Sequence, residues 1–252
     1  MRLNNVSAVV TGGASGLGAA VAEALVDGGA SVTAFDLAQS IERGPQLPDV
    51  GYVPVDVTDD ESVRAAISVV APAEAPLRII VNCAGIAPSR RILGKEGPHS
   101  SELFLRVLQV NLVGTFNVMT RGAEAIAETK PDQDGQRGVI VNTASIAAFD
   151  GQIGQVAYAA SKGGLVAMTL LAARDLARSG IRVCAIAPGV VDTPMLAAFG
   201  DAVRAALAAG VPFPKRLAHP AEFAQLVPMA VEHDYLNGEV IRMDGALRMA
   251  PK

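Results

Sequence analysis

The sequence predicts an α/β fold: one doubly wound sheet of seven parallel strands with helices on both faces, forming a single domain over residues 1–252. Two observations predict it. Short β-branched runs alternate with alanine-rich helical stretches along the whole chain. Half of the residues are hydrophobic, yet only 4% are aromatic and Trp is absent. Ala, Val, Ile, Leu and Gly must then do the packing, as suits helices lying on a parallel sheet. A chain of 252 residues buries one sizeable core and needs no second domain.

The strands are expected at SAVVTG (7–12), SVTAFD (31–36), YVPVDV (52–57), RIIVNCAG (78–85), GVIVNTAS (138–145), IRVCAIAPG (181–189) and GEVIRMDG (238–245). Between them, AAVAEALVDG has helical spacing, with Gly28 and Gly29 as its stop. ESVRAAISVV opens on a predicted capping box from Thr58 to Glu61. Short β-α-β connections wind the sheet right-handed. Residues 86–100, 130–137 and 190–216, rich in Gly, Pro or charge, break the rhythm and read as loops, which in α/β proteins commonly carry function.

Lys and Arg total 21 against 25 Asp and Glu, a formal charge of -4 that argues against a nucleic-acid partner. Cys83 and Cys184 lie in apolar runs and suit buried free thiols in a reducing compartment. MRLNN runs straight into the first strand with no room for a secretion signal. Every apolar run is interrupted before the roughly 20 residues that span a bilayer. The expectation is a soluble, cytoplasmic protein with no membrane partner. His99, His219 and His233 lack metal-ligand spacing, so no metal site is expected.

TGGASGLG joins the first strand to the first helix, and its Gly12, Ser15, Gly16, Leu17 and Gly18 let backbone approach a pyrophosphate at a helix N-terminus. A glycine triplet alone is also compatible with a bare tight turn; its place between strand and helix favours the Rossmann-type reading. Asp36 ends the second strand 18 residues after Gly18, close to the spacing of an acid that hydrogen-bonds the adenosine ribose. Its carboxylate would repel a ribose phosphate, and no Arg or Lys follows at once, so the expected cofactor is NAD rather than NADP. Asp56 and Val57, then Asn82, Ala84 and Gly85, end the third and fourth strands at the carboxyl edge and are expected on the adenine side. Asp56 reads equally well as a turn or cap residue before TDDE.

Ser145 follows the fifth strand, and Tyr158 and Lys162 are four residues apart in YAASK, on one helix face. A free Tyr has a pKa near 10, so about one in a thousand is ionised near pH 7, and a base needs that value lowered by about three pH units, worth ~4 kcal/mol. Lys162 and a positive nicotinamide are expected to supply it. Tyr158 would exchange a proton with the substrate oxygen while Ser145 holds that oxygen. Lys162 would also hold the nicotinamide ribose. Gln152 and Gln155 either reach a substrate carbonyl or are simply solvated.

Through TGGASGLG, NCAG, Asn111 in VNLVGT, Ser145, YAASK and PGVVDTP, the sequence resembles the short-chain dehydrogenase/reductase family over most of its length. The resemblance implies NAD(P)-linked hydride transfer. For Asn111 it implies a local helix distortion that anchors a water and extends a proton relay from Lys162. It places Pro188, Gly189, Val191 and Thr193 beside the nicotinamide. PDQDGQRGVIVNTASIAAFDGQIGQVAYAASKGG, VPFPKRL, PAEFAQLV and LNGEVIRMDGALRM are similar to the family's short-chain 3-hydroxyacyl-CoA dehydrogenases, which implies oxidation of short 3-hydroxyacyl-CoA and a homotetramer. Packing through the helices around Asn111 and Tyr158 and the C-terminal strand region is expected. The acyl end is expected under a lid at Met195 to Gly210, against Phe199, and the CoA near Arg90, Arg91 and Lys95, where a merely solvated basic loop is the competing reading. The match thins at residues 87–100 and 190–210, leaving open dehydrogenation of steroids or other secondary alcohols and 3-oxoacyl-carrier-protein reduction. A catalytically silent NAD-binding regulator is the alternative of another class.

Overall fold

The computed structural model describes residues 1–71, 75–197 and 200–251. Seven strands form one sheet, β1 (Ser7–Thr11), β2 (Ser31–Asp36), β3 (Val50–Pro54), β4 (Leu77–Asn82), β7 (Gly138–Thr143), β8 (Ile181–Pro188) and β9 (Val240–Met243). A separate hairpin of β5 (Leu93–Gly94) and β6 (Gly97–Pro98) occupies part of the loop after β4, where only irregular chain was expected. The sheet order is β3-β2-β1-β4-β7-β8-β9 and every pairing in it is parallel. Strand order reverses between β1 and β4, which opens a crevice at the carboxyl edge.

Period-2 alternation sorts the strand side chains onto two cores. Val10, Ile79 and Val139 pack on one face against α1 (Gly16–Asp27), α10 (Pro220–Ala224) and α11 (Leu226–Glu232), through Val21, Leu25, Phe223 and Val227. Their neighbours Val9, Ile80 and Ile140 pack on the other, against α3 (Asp60–Val70), α5 (Gly114–Ala127) and α7 (Val156–Leu176). Each such buried Val or Ile contributes about 1.5–3 kcal/mol relative to exposure. Gly122 lets α5 lie close to the sheet, since a Cβ there would stand 2.7 Å from Ile80.

Three local expectations are corrected. The third strand begins at Val50 and ends at Pro54, so Val55 to Val57 form the turn after it. The Thr58–Glu61 capping box does not form: Asp59 is the N-cap of α3 and accepts from the Glu61 amide, while the Thr58 hydroxyl donates to Asp56. Asp56, two residues past the strand end, outcompetes the helix for that hydroxyl. Two helical stretches, Ser101–Ala127 and Val156–Ser179, are long and apolar enough to cross a membrane by length and composition, contrary to the expectation that charges interrupt every apolar run. Their buried residues, among them Val118, Ile126 and Ala173, pack in the core against the sheet. α1 ends as expected, with Gly28 as its cap and Gly29 at φ +93°.

Candidate active site

The crevice holds a cavity of about 590 Å³. Gly12, Ser15, Gly16, Leu17 and Gly18 line it from the β1–α1 turn, Asp36 from the end of β2, and Asp56 and Val57 from the turn after β3. Ala84 and Gly85 line it from beyond β4, Tyr158 and Lys162 from α7, and Pro188 and Thr193 from the end of β8 onward. Another hollow of about 640 Å³ lies at the sheet's amino end beside Met1, Asp132 and Asp234, and none of the expected site residues is in it.

The glycine turn is built for close approach. A Cβ on Gly18 would stand 2.1 Å from the Gly12 carbonyl oxygen, and one on Gly12 would stand 2.8 Å from the Ala84 amide. Ser15 precedes α1 without capping it through its side chain, and no acid occupies the helix's first turn. The first amides of α1 are thus left without a side-chain acceptor and with the positive end of the helix dipole, which fits a pyrophosphate. Asp36 accepts from the Ala14 amide at 3.0 Å and from the Leu37 amide at 2.8 Å, which fixes its carboxylate beside the same turn. The donor set fits a dinucleotide. Asp56 is a turn residue that receives the Thr58 amide and hydroxyl, and it also lines the cavity.

At the inner end, Lys162 is almost fully buried, its Nζ donating to the Thr143 carbonyl at 2.6 Å and standing 5.8 Å from the Tyr158 ring centre. Burial pushes the Lys162 ammonium down to about 8. Burial likewise pushes the Tyr158 phenol up, and a hydrogen bond with Ser145 only partly offsets this. The chain alone therefore does not lower Tyr158 as expected from Lys162: desolvation outweighs the Ser145 hydrogen bond, and Lys162 is not among the causes of the shift. Tyr158 as a whole is half-buried and lines the cavity. Cys83, also lining the cavity, is pushed up to about 11 by burial, which disfavours its thiolate. Both cysteines are free, and Cys184 is buried.

Ser145, Asn111, Asn82, Gly189 and Val191 stand behind this lining. The Ser145 hydroxyl accepts from the Ala147 amide at 3.1 Å, which leaves its own proton free for another acceptor. Asn111 lies in a π turn, Gln109–Val113, that joins α4 (Ser101–Leu108) to α5. Its amide nitrogen donates to the Ile86 carbonyl and the Ser161 hydroxyl, and its backbone carbonyl accepts from Thr115. Asn82 donates to Asn142 across the sheet. Gly189 donates to Met243, and Val191 bridges to Ala218, so both hold the chain that carries Thr193.

Gln152 and Gln155 do not line the cavity. The Gln155 side chain accepts from the Gln152 amide, and the Gln152 side chain donates to the Ala250 carbonyl. They order their own loop. The expected lid contains α8 (Pro194–Ala197) and α9 (Asp201–Gly210); Met195 lines the cavity, while Phe199 lies outside the described residues. Arg90 is paired with Glu96 at 3.1 Å, which spends the charge assigned to a CoA phosphate; Arg91 and Lys95 are exposed. The sequence reading missed Arg106, Gln109 and Val110, which also line the cavity, with the Gln109 side chain donating to the Thr58 carbonyl beside Asp56. Their i, i+3, i+4 spacing ahead of Asn111 was the available signal.

The family model described as short chain dehydrogenase matches residues 6–204. A Drosophila melanogaster protein named 3-hydroxyacyl-CoA dehydrogenase type-2 is 53% identical over 254 residues, covering 99% of this chain and all of that one. The Homo sapiens protein of the same name is 52% identical over 250 residues, 97% of this chain and 95% of its own. A crystal structure of 3-hydroxyacyl-CoA dehydrogenase type-2 from Mycobacterium avium superposes with a TM-score of 0.89 at 40% identity, covering all of both chains. Fold, cavity and sequence agree, and the chain belongs to the short-chain dehydrogenase family of oxidoreductases.

Proposed function

We propose that this chain oxidises short 3-hydroxyacyl-CoA to 3-oxoacyl-CoA with NAD. The observation that carries the chemistry is the juxtaposition of Tyr158 and Lys162, with Ser145 behind them, at the inner end of a cavity whose outer end presents Asp36 beside an uncapped helix N-terminus. The substrate class rests on the names of relatives at about 50% identity over nearly the whole chain.

When bound, NAD supplies the hydride acceptor and a positive ring beside Tyr158. The chain's own residues do the rest. Tyr158 takes the hydroxyl proton as the C–H bond is broken, Ser145 donates to the reacting oxygen, and Lys162 adds positive charge that favours the phenolate. Asp36 accepts from the adenosine ribose and disfavours a phosphate there. Arg91 and Lys95, rather than Arg90, are the cations available to the CoA phosphates. The retained Tyr158 and Lys162 weigh against a silent NAD-binding regulator. The exposed apolar residues of α4, α5 and α7, Leu105, Phe116 and Leu171 among them, support a homotetramer.

A panel of 3-hydroxyacyl-CoA, steroid and simple secondary alcohols, each with NAD and NADP, tests this reading. The expected result is the highest kcat/KM for a short 3-hydroxyacyl-CoA, with NAD favoured by about tenfold or more. Oxidation of steroids without any acyl-CoA would remove the substrate assignment, and a preference for NADP would remove the role of Asp36.

A further inference from the structure

The segment between Ser145 and Tyr158 begins with the single helical turn α6 (Ala147–Asp150), and its far end is tied to the C-terminal part of the chain. Asp150 receives three donors. Arg242, from β9, reaches its two carboxylate oxygens at 3.0 and 3.4 Å, and the Met249 amide reaches it at 2.9 Å. Arg242 is itself held, by Asp244 at 2.8 Å, by the Leu247 carbonyl at 3.2 Å, and by the Phe149 ring 5.0 Å from its guanidinium carbon. Both side chains of the Asp150–Arg242 pair are only about a fifth exposed, at 20% and 22%. The last residues continue the tie, the Ala250 carbonyl accepting from Gln152 and the Pro251 carbonyl from the Ile153 amide.

The near end of α6 is Ser145. Its hydroxyl accepts from the Ala147 amide, and its carbonyl accepts from the Ala148 amide at 3.0 Å. The Asp150 amide donates to the Ile146 carbonyl at 3.0 Å, and the Ile146 amide to Pro188 at 3.1 Å. One rigid turn thus has the Ser145 hydroxyl at one end and the Asp150 carboxylate at the other. The Ala147 amide that meets the Ser145 hydroxyl and the Asp150 carboxylate that meets Arg242 belong to the same short turn. A partly buried ion pair contributes only modestly to stability, but with its two-pronged geometry it fixes one arrangement of the loop.

We propose that Asp150, anchored by Arg242 and the Met249 amide, is a positioning residue that sets the Ser145 hydroxyl through α6. The inference deepens the proposed reaction and rests on the reading of Ser145 as the group that holds the reacting oxygen. Misplacing such a donor by a fraction of an ångström costs turnover without costing cofactor affinity.

The test is a double-mutant cycle on the full chain, with turnover and NADH binding measured for Ser145→Ala, Asp150→Ala and the pair. Asp150→Ala is expected to lower kcat about tenfold or more with Ser145 present and less than about twofold with Ser145→Ala, with NADH affinity within about twofold throughout. Asp150→Asn keeps an oxygen for the Met249 amide and is expected to recover part of the loss; if Asp150→Ala does not bind NADH, this variant carries the same cycle. An equal loss in both backgrounds marks a merely structural role and overturns the proposal, as does no loss. If Ser145→Ala itself turns over at the wild-type rate, it is the role of Ser145, and with it the parent reading, that fails.

Discussion

Lys162 stands in an environment at odds with its charge. Among the described residues its Nζ has one hydrogen-bond partner, the Thr143 carbonyl, and burial holds its ammonium at about 8, against about 10.4 for a free lysine. Folding therefore carries a penalty that is fully present below about pH 8, where both states are protonated. It fades as pH rises towards 10.4, where the unfolded lysine also loses its proton. Lys162→Met is expected to abolish turnover yet to raise stability near pH 7 by about 1–2 kcal/mol, with a smaller gain near pH 10, in urea unfolding at each pH. A variant less stable than wild type near pH 7 would contradict this. Function, not stability, accounts for a lysine here. The residue types of this site were legible because Tyr158 and Lys162 share a helix face and the glycines flank a strand end. The direction of the Tyr158 shift was not, because desolvation by distant segments leaves no mark on local spacing. Gln152 and Gln155 misled for a related reason: a polar side chain between two site residues has no sequence signal that tells loop ordering from substrate contact.

Among the elements, the helical stretches α4–α5 and α7 have one face on the sheet and another that leaves Leu105, Phe116, Leu170 and Leu171 at 44–61% exposure. Light scattering at micromolar concentration is expected to give a mass of four chains, and Phe116→Glu with Leu171→Glu is expected to give smaller species. A monomeric wild type would contradict the assembly. The strands were readable because a parallel sheet buried on both faces demands runs of Val and Ile, and helix α1 because glycines close it. The π turn at Gln109–Val113 was expected only through the family resemblance, since QVNLV continues an unbroken helical pattern. The hairpin at Leu93–Pro98 is too short for period-2 alternation to register. Arg182 is the clearest element-level surprise: a guanidinium 6% exposed inside strand β8 donates to the Ala230, Val231, His233 and Leu236 carbonyls and so closes the end of α11. Its partners lie about 50 residues away in sequence, beyond any local pattern.

At the scale of the molecule, the reversal of strand order between β1 and β4 brings distant segments of the chain to one carboxyl edge, with Asp36 and the glycine turn at one end of the cavity and Tyr158 at the other. This separation predicts that cofactor affinity and chemistry can be removed independently. The most direct measurement compares wild type and Tyr158→Phe for NAD reduction with a short 3-hydroxyacyl-CoA, alongside NADH binding by fluorescence. Turnover is expected to fall about a hundredfold or more while NADH affinity stays within about twofold. A Tyr158→Phe variant that turns over at close to the wild-type rate would contradict the account.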